Sequence, residues 1–216
     1  MQVELAGRVE FVPLEDEPQL IAGLDCAFSG DGKRTFAVAV VLRVIGLPGG
    51  QAGQPGRFEF KHVETATAQQ ETRFPYIPGL LSFREAPVCL EAVAKLTCQP
   101  DLFMIDGQGV AHPRRLGLAS HLGLFFDRPT IGCAKSWLIG EFEEPGAERG
   151  AWTPLRDGEE TIGAVVRTRS RVKPVFVSVG HQCTLEDAIR TTLACATRYR
   201  IPEPTRRAHQ AVSKLR

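Results

Sequence analysis

The sequence predicts an α/β protein with a mixed central β-sheet, an antiparallel meander followed by parallel strands, and helices on both faces. Three observations predict this class. Apolar stretches of strand length, joined by turns, occupy the first third of the chain. Beyond them, stretches with helical spacing alternate with short apolar strands. The 216 residues, 43% hydrophobic and 24% charged, suit one domain (residues 1–216) with a sizeable core.

The first three strands form the predicted meander. Leu20–Phe28 is an apolar run interrupted by one acid, Asp25, and it ends at a glycine-containing turn. Thr35–Val44 is rich in valine and alanine, as expected of a strand buried on both faces. Gly46–Gly56 contains five glycines and two prolines and predicts a loop at a hairpin tip, for which we have no functional account. Arg57–Thr65 alternates apolar and polar residues and predicts the third strand.

Helices and strands then alternate. The predicted helices are Phe83–Leu96, Arg114–Phe126 and one that begins at the capping-box-like pair Thr184 and Asp187 and ends near Tyr199. The predicted strands are Asp101–Asp106, Thr130–Ala134, Val165–Arg167 and Val175–Val179. The polar, glycine-rich segment Glu141–Glu160 predicts a mobile loop. This order of elements is also that of the RNase H-like fold.

The composition favours a cytoplasmic protein. No unbroken apolar run reaches the roughly 20 residues of a membrane span, and Met1–Leu5 lacks the basic-then-apolar pattern of a signal peptide. The six cysteines include no Cys-x-x-Cys pair, so we expect reduced thiols in or near the core rather than zinc ligands. No coiled-coil pattern or large apolar stripe is evident, and a monomer is expected.

Charge is distributed unevenly along the chain. The net charge of +1 gives no overall signal for a polyanionic partner. From Arg190 to Arg216, however, seven basic residues stand against one acid, Glu203. This end of the chain either follows phosphates or forms a solvated basic tail, and the charge pattern alone does not decide between them.

Three carboxylates stand out from the other acids, and an acid within or at the end of a buried strand is costly. Asp25 interrupts an apolar strand, Asp106 ends another, and Glu85 lies near the start of a helix. If the two strands are neighbours, these side chains converge and repel one another unless a hard cation neutralises them. Mg²⁺ or Mn²⁺ prefers such oxygen ligands and can activate water for attack on a phosphodiester. The alternatives are that Asp106-Gly107 forms an ordinary turn and that Glu85 interacts favourably with the dipole of its helix.

Three parts of the sequence resemble the endonuclease V family. Pro75–Glu85 is similar to the motif around that family's DNA wedge and catalytic glutamate. Asp106–Gly117 is similar to its central metal-binding motif, and the similarity continues to Lys135. Ser178–His181 and Arg200–Arg206 resemble its C-terminal signature. The resemblance runs from about residue 20 to residue 210 in long, gapless matches.

The resemblance implies a DNA repair endonuclease directed at deoxyinosine. It implies that Asp25, Glu85 and Asp106 hold Mg²⁺, for which Mn²⁺ can substitute. His181 is implied to lie near the metal and take part in catalysis, and Lys135 to lie near the scissile phosphate. In the family the cut falls at the second phosphodiester 3′ to the lesion and leaves a 3′-hydroxyl and a 5′-phosphate.

The resemblance also implies a wedge and a base pocket. The wedge residues are Pro75, Tyr76, Ile77 and Pro78; prolines stiffen such a turn, and a tyrosine ring can replace a displaced base. The residues implied to line the pocket for a flipped base are Gly79, Gly107, Gly109, Gly132 and Leu138. The residues implied to contact phosphates are His112, Arg114 and Arg115. Turn geometry remains the alternative for the glycines, and a salt bridge remains the alternative for the arginines.

Several rival functions remain open at this point. An enzyme of the same fold could prefer inosine in RNA, and a junction-resolving nuclease would cut four-way junctions without inosine. A non-catalytic nucleic-acid-binding module belongs to a different class. It would carry basic and aromatic groups without a buried acidic cluster, so an intact metal site would argue against it.

Overall fold

A computed structural model describes residues 1–46, 56–72, 77 and 79–216. The strands are β1 (Leu20–Phe28), β2 (Arg34–Gly46), β3 (Glu59–Glu71), β4 (Leu102–Ile105), β5 (Thr130–Ala134), β6 (Trp152–Asp157), β7 (Glu160–Val166) and β8 (Val175–His181). The helices are α1 (Gln2–Ala6), α2 (Leu81–Ala94), α3 (Leu118–Phe126), α4 (Leu185–Cys195) and α5 (Glu203–Val212). The predicted α/β class is confirmed.

All eight strands form one mixed sheet in the order β3-β2-β1-β4-β5-β8-β7-β6. The antiparallel β1–β2–β3 meander is present, and β4 and β5 continue the sheet parallel to β1. Leu24 on β1 pairs with Ile105 on β4. The next residues, Asp25 and Asp106, therefore lie side by side, as expected if their strands were neighbours.

The helices cover both faces of the sheet. Successive side chains of β2 point to opposite faces of the sheet and therefore pack against different helices. Ala37 and Ala39 pack in the cluster that contains α2 and α3, whereas Val38 and Val40 pack in the cluster that contains α5. Helix α4 lies against the far half of the sheet through Ile189 and its neighbours.

The second half of the sheet differs from the prediction. Strand β8 runs antiparallel to β5 and to β7, so among the described strands the parallel pairings are only β1 with β4 and β4 with β5. The predicted mobile loop Glu141–Glu160 instead contains β6 and the start of β7, joined by a turn at Gly158. Strand β6 lies at the sheet edge and buries only Leu155 fully, so its sequence lacks the apolar alternation that marks a strand.

Two helix boundaries also differ. Helix α3 begins at Leu118 and not at Arg114, because Arg115 has a left-handed backbone (φ +54°) that ends any helix. Helix α4 ends at Cys195, before the predicted end near Tyr199. Arg114 and Arg115 therefore precede α3 and do not belong to its first turn.

The basic C-terminal end folds as helix α5, so it is not a solvated tail. Ala208 and Val212 are buried against β2, and Glu203 forms ion pairs with Arg206 and Arg207 on its own helix. The acid in this segment thus offsets part of the positive charge that the sequence shows.

All six cysteines are free thiols, four of them buried. No helix among the described residues is long and apolar enough to cross a membrane.

Candidate active site

A cleft of about 900 Å³ opens at the carboxyl ends of the three parallel strands. Asp25 comes from β1, Asp106 directly follows β4, and Lys135 directly follows β5. Strands that run in the same direction end at the same edge of a sheet, which is where α/β proteins commonly bind ligands. Glu85 enters this cleft from α2 on one face of the sheet, and His209 enters it from α5 on the other.

Asp25, Asp106 and His209 form the centre of the site. Each offers one ligand atom, and these three atoms lie within 4.8 Å of one another. Asp25 Oδ2 is 2.8 Å from His209 Nδ1, and Asp106 Oδ2 is 3.9 Å from the same nitrogen. Both carboxylates are about one-tenth exposed, whereas the imidazole is half-exposed. The cluster is therefore buried on the sheet side and open on the cleft side.

Lys135 closes the cluster on the side of β5. Its ammonium forms an ion pair with Asp106 and lies 3.2 Å from His209 Nδ1. Arg200 donates to the main-chain oxygen of Lys135 at 2.6 Å and to that of Pro174 at 2.8 Å. These two hydrogen bonds fix the main chain at Lys135 relative to that at Pro174.

The carboxylates are electrostatically strained. Burial, followed by the charge of Asp106, raises the pKa of Asp25 to about 6, against the lowering effects of His209 and Lys135. Burial also raises the pKa of Glu85 to about 7, and the charges of Asp25 and Asp106 contribute to the rise. Acids gathered in this way resist ionisation, and a nearby cation would relieve their repulsion.

The donor set fits a divalent metal. Carboxylate oxygens are the ligands preferred by hard cations, and one imidazole is compatible with such a site. Asp25 and Asp106, with His209, are the residues placed to hold the ion. Glu85 lines the same cleft, but it is not among the three residues whose ligand atoms meet within 4.8 Å. The expected acidic cluster is thus present in a form compatible with a metal site.

Five predicted residues share the cleft with the cluster: Gly79, Gly107 and Leu138 of the predicted base pocket, and the predicted phosphate contacts His112 and Arg114. Burial, with the charges of Arg114 and Arg115, lowers the pKa of His112 and favours its neutral form. The His112 Nδ1 accepts a hydrogen bond from the main-chain N–H of Arg114 at 3.2 Å. This side of the cleft is therefore a fixed, partly polar wall.

Three other predicted residues do not line the cleft. A Cβ on Gly109 would lie 2.0 Å from the main-chain oxygen of Val179, and one on Gly132 would lie 2.4 Å from the main-chain nitrogen of Gly109. These glycines allow close packing of backbone against backbone, the ordinary alternative to a pocket role. Arg115 forms ion pairs with Asp157 and Glu160, which is the salt-bridge alternative.

His181 lies away from the cluster. It pairs with Thr130, the first residue of β5, whereas Lys135 follows the last residue of that strand. The His181 Nδ1 accepts a hydrogen bond from the main-chain N–H of Glu10, and burial lowers its pKa. The structure does not bring His181 to the acidic cluster. Strand β8 runs antiparallel to β5, so it ends beside the first residue of β5, whereas the cluster lies beyond the last.

Most of the predicted wedge lies outside the described residues. Pro75, Tyr76 and Pro78 belong to the undescribed part of the chain, as do residues 47–55 of the Gly46–Gly56 loop. Ile77 is described and is 41% exposed. The wedge therefore stays a prediction.

His209 is the functional residue that sequence reasoning missed. The segment around it is rich in charge, and this charge alone drew attention. The buried residues Thr205, Ala208 and Val212, spaced three and four apart, mark one face of a helix. That spacing indicates a helix with one buried face, but it does not place His209 near Asp25.

Comparison with known proteins places the chain among relatives that share this fold. The family profile described as Endonuclease V matches residues 3–210. An endonuclease V from Roseiflexus sp. is 50% identical over 193 residues, covering 89% of this chain and 80% of the relative.

Solved structures agree with the sequence matches. Endonuclease V from Streptomyces avermitilis superposes with a TM-score of 0.88 at 45% identity, covering 99% of this chain and 89% of that one. Endonuclease V from Ciona intestinalis, in complex with a 24mer DNA containing an inosine followed by a ribo-adenosine, superposes with a TM-score of 0.81 at 29% identity, covering 99% of this chain and 94% of that one. The chain belongs to the endonuclease V family.

Proposed function

We propose that this protein is a Mg²⁺-dependent DNA repair endonuclease that recognises deoxyinosine and hydrolyses the second phosphodiester 3′ to it. The products are a 3′-hydroxyl and a 5′-phosphate. The observation that carries the proposal is the convergence of Asp25, Asp106 and His209 in a cleft that also contains the candidate base-pocket residues. The Ciona intestinalis relative bound to inosine-containing DNA supports the choice of substrate.

The proposed chemistry divides between the cation and the side chains. Asp25, Asp106 and His209 would hold Mg²⁺ or Mn²⁺, with Glu85 beside them. When bound, the ion supplies a Lewis acid that makes its bound water more acidic and offsets negative charge on the phosphate. Lys135, next to Asp106, offers an ammonium to a non-bridging phosphate oxygen.

The cleft wall next to the cluster suits recognition of hypoxanthine. This base differs from adenine by an oxygen at C6 and a proton on N1, so main-chain amides and carbonyls can discriminate between the two. Gly79 and Gly107 bring main chain to the cleft without side chains. A neutral His112, whose Nδ1 accepts from the main chain, offers its Nε2–H as a donor at the same wall, and Leu138 supplies apolar contact.

An inosine-directed endoribonuclease is the second candidate. The DNA bound by the Ciona intestinalis relative carries a ribo-adenosine directly after the inosine, so that relative accommodates a ribose at this position. Comparing single-stranded substrates with deoxyinosine or riboinosine separates the two functions. A higher rate on riboinosine would favour the RNA reading.

The first test is strand cleavage of labelled duplex DNA with a single deoxyinosine, with Mg²⁺ or with EDTA. We expect one nick at the second phosphodiester 3′ to the inosine, only with Mg²⁺. Asp106→Ala should reduce the rate at least a hundredfold, since it removes one of two converging metal-ligand carboxylates. Glu159→Ala, an exposed acid in the β6–β7 turn, is the matched control and should cut normally. Absence of a nick from folded wild-type protein would reject the DNA-repair function.

A further inference from the structure

Trp137 stands between the active-site cleft and a second cavity. It lies two residues after Lys135, is 56% exposed, and lines both spaces. The second cavity, of about 930 Å³, lies between residues 137–143 and the β6–β7 hairpin. We name it the Trp137 cavity. The ring therefore presents a large apolar surface to both spaces, next to the acidic cluster.

The orientation of the indole ring is fixed. Its Nε1–H donates to the main-chain oxygen of Gly140 at 2.9 Å. Gly140 has a left-handed backbone (φ +87°), and a Cβ there would lie 2.6 Å from the main-chain oxygen of Arg156. The loop is therefore held closely against β6. Because its one polar atom is already bonded, the ring offers only aromatic surface to a ligand.

Charge indicates which part of a nucleotide suits the Trp137 cavity. Its lining carries three acids, Glu141, Glu143 and Asp157, against one cation, Arg156. Asp157 is paired with Arg115, whereas Glu141 and Glu143 form no ion pair with any described residue. A phosphate would be repelled here.

The cations lie on the other side of the ring. Lys135 and Arg114 line the active-site cleft. A strand that leaves the cleft past Trp137 is thus expected to keep its phosphates on the cleft side and to turn a base into the Trp137 cavity. Every base has an aromatic face for stacking, and adenine, cytosine and guanine also have an amino group that a carboxylate can accept from.

We propose that the Trp137 cavity is a second nucleobase subsite, in which an unpaired base flanking the inosine stacks on Trp137. Glu141 or Glu143 accepts a hydrogen bond from its amino group. The inference rests on the proposed function, since the base belongs to the strand being cut. It predicts a sequence preference at one flanking position: adenine, cytosine or guanine over thymine.

The test combines abasic substrates with tryptophan variants. Single-turnover cleavage in Mg²⁺, with enzyme concentration varied, gives an apparent Kd and a maximal rate for each substrate. The substrates carry one deoxyinosine and a single abasic site, placed in turn at each neighbouring position. For wild type, we expect one flanking position at which loss of the base raises the apparent Kd about tenfold, as for one base–aromatic stack.

The variants assign that position to the subsite. Trp137→Ala should bind the intact substrate about tenfold more weakly and lose sensitivity to the abasic site there, while Trp137→Phe retains most of both. Trp152→Ala removes a 48% exposed tryptophan that does not line the Trp137 cavity and should behave as wild type. The maximal rate of Trp152→Ala should equal that of wild type.

Two results overturn different statements. If wild type cuts inosine substrates but Trp137→Ala keeps the full abasic pattern, the second subsite is wrong and the proposed function stands. If wild type cuts a strand with inosine no faster than one with adenine in its place, or cuts neither strand, the proposed function is wrong. The second subsite is then wrong as well.

Discussion

One buried side chain near the N-terminus joins two segments that line the proposed base pocket. Gln2 is 8% exposed and lies on the short helix α1. Its Nε2 donates to the main-chain oxygens of Gly79 at 3.0 Å and Leu116 at 3.5 Å, and its Oε1 accepts from Arg114 at 2.7 Å. A single amide thus joins the segment after the predicted wedge to the loop after Asp106.

Replacing this amide should weaken discrimination more than catalysis. For Gln2→Ala we expect a loss of about 1–3 kcal/mol in the free energy of unfolding, since buried partners are left without hydrogen bonds. We also expect the ratio of inosine to adenine cleavage to fall severalfold, because the Gly79 backbone loses its support. Glu4→Ala, on the exposed side of α1, is the control and should change neither. An unchanged ratio in Gln2→Ala would show that α1 does not position the pocket.

Single site residues could be predicted from the sequence where the residue type conflicted with its surroundings. Asp25 could be predicted as a site residue because an acid inside an apolar strand is costly, and Asp106 because it ends a buried strand. His209 sits among polar residues on a half-buried helix, so nothing in its local context marks it. Gln2 could not be predicted either, because its partners lie 77 and 114 residues away along the chain.

Helix α5 delivers His209 to the acids, and its position depends on Gly23 of β1. A Cβ at Gly23 would lie 1.9 Å from the main-chain oxygen of Pro204, at the start of α5. Backbone atoms on both sides leave no side chain that can yield. The approach of α5 to the sheet therefore requires glycine at this position.

Gly23→Ala should accordingly displace α5. We expect a loss of about 1–3 kcal/mol in the free energy of unfolding, typical of overpacking, measured by urea denaturation. Cleavage should fall by more than the unfolded fraction explains, since His209 moves away from Asp25. Gly30→Ala is the matched control, because a Cβ there meets no atom within 4 Å. Full activity in Gly23→Ala would show that the placement of α5 does not govern the site.

The elements that sequence predicted are those with one strongly apolar face. Strands β1, β2, β4 and β5 are nearly continuous apolar runs, and α2 has clear helical spacing. Strand β6 is an edge strand with mostly exposed residues, and the direction of β8 depends on a pairing that its own sequence does not encode. That one direction decides where His181 lies, so the sequence did not predict the position of His181 relative to the acidic cluster.

For the whole molecule, the acidic cluster opposes stability as pH rises. In a buried acid with a raised pKa, the folded state keeps a proton that the unfolded chain has already released. For Glu85, whose pKa rises from 4.5 to about 7, stability is full below about pH 4.5 and is lost as pH rises to about 7. The buried histidines His112, His121 and His181 act in the opposite direction, because their lowered pKa values make stability rise with pH up to the unfolded value of 6.5.

Comparison of wild type with Glu85→Gln separates the two effects, because the histidines are common to both. In EDTA, Glu85→Gln should gain stability relative to wild type by on the order of 2–3 kcal/mol between pH 5 and pH 8. Urea denaturation at several pH values measures this difference. Divalent cation at pH 8 should stabilise wild type more than Glu85→Gln, since binding to the folded state relieves the same repulsion. A difference between the two proteins that does not change with pH would mean that Glu85 is as easily ionised in the fold as in water. The repulsion that supports the proposed metal site would then be absent.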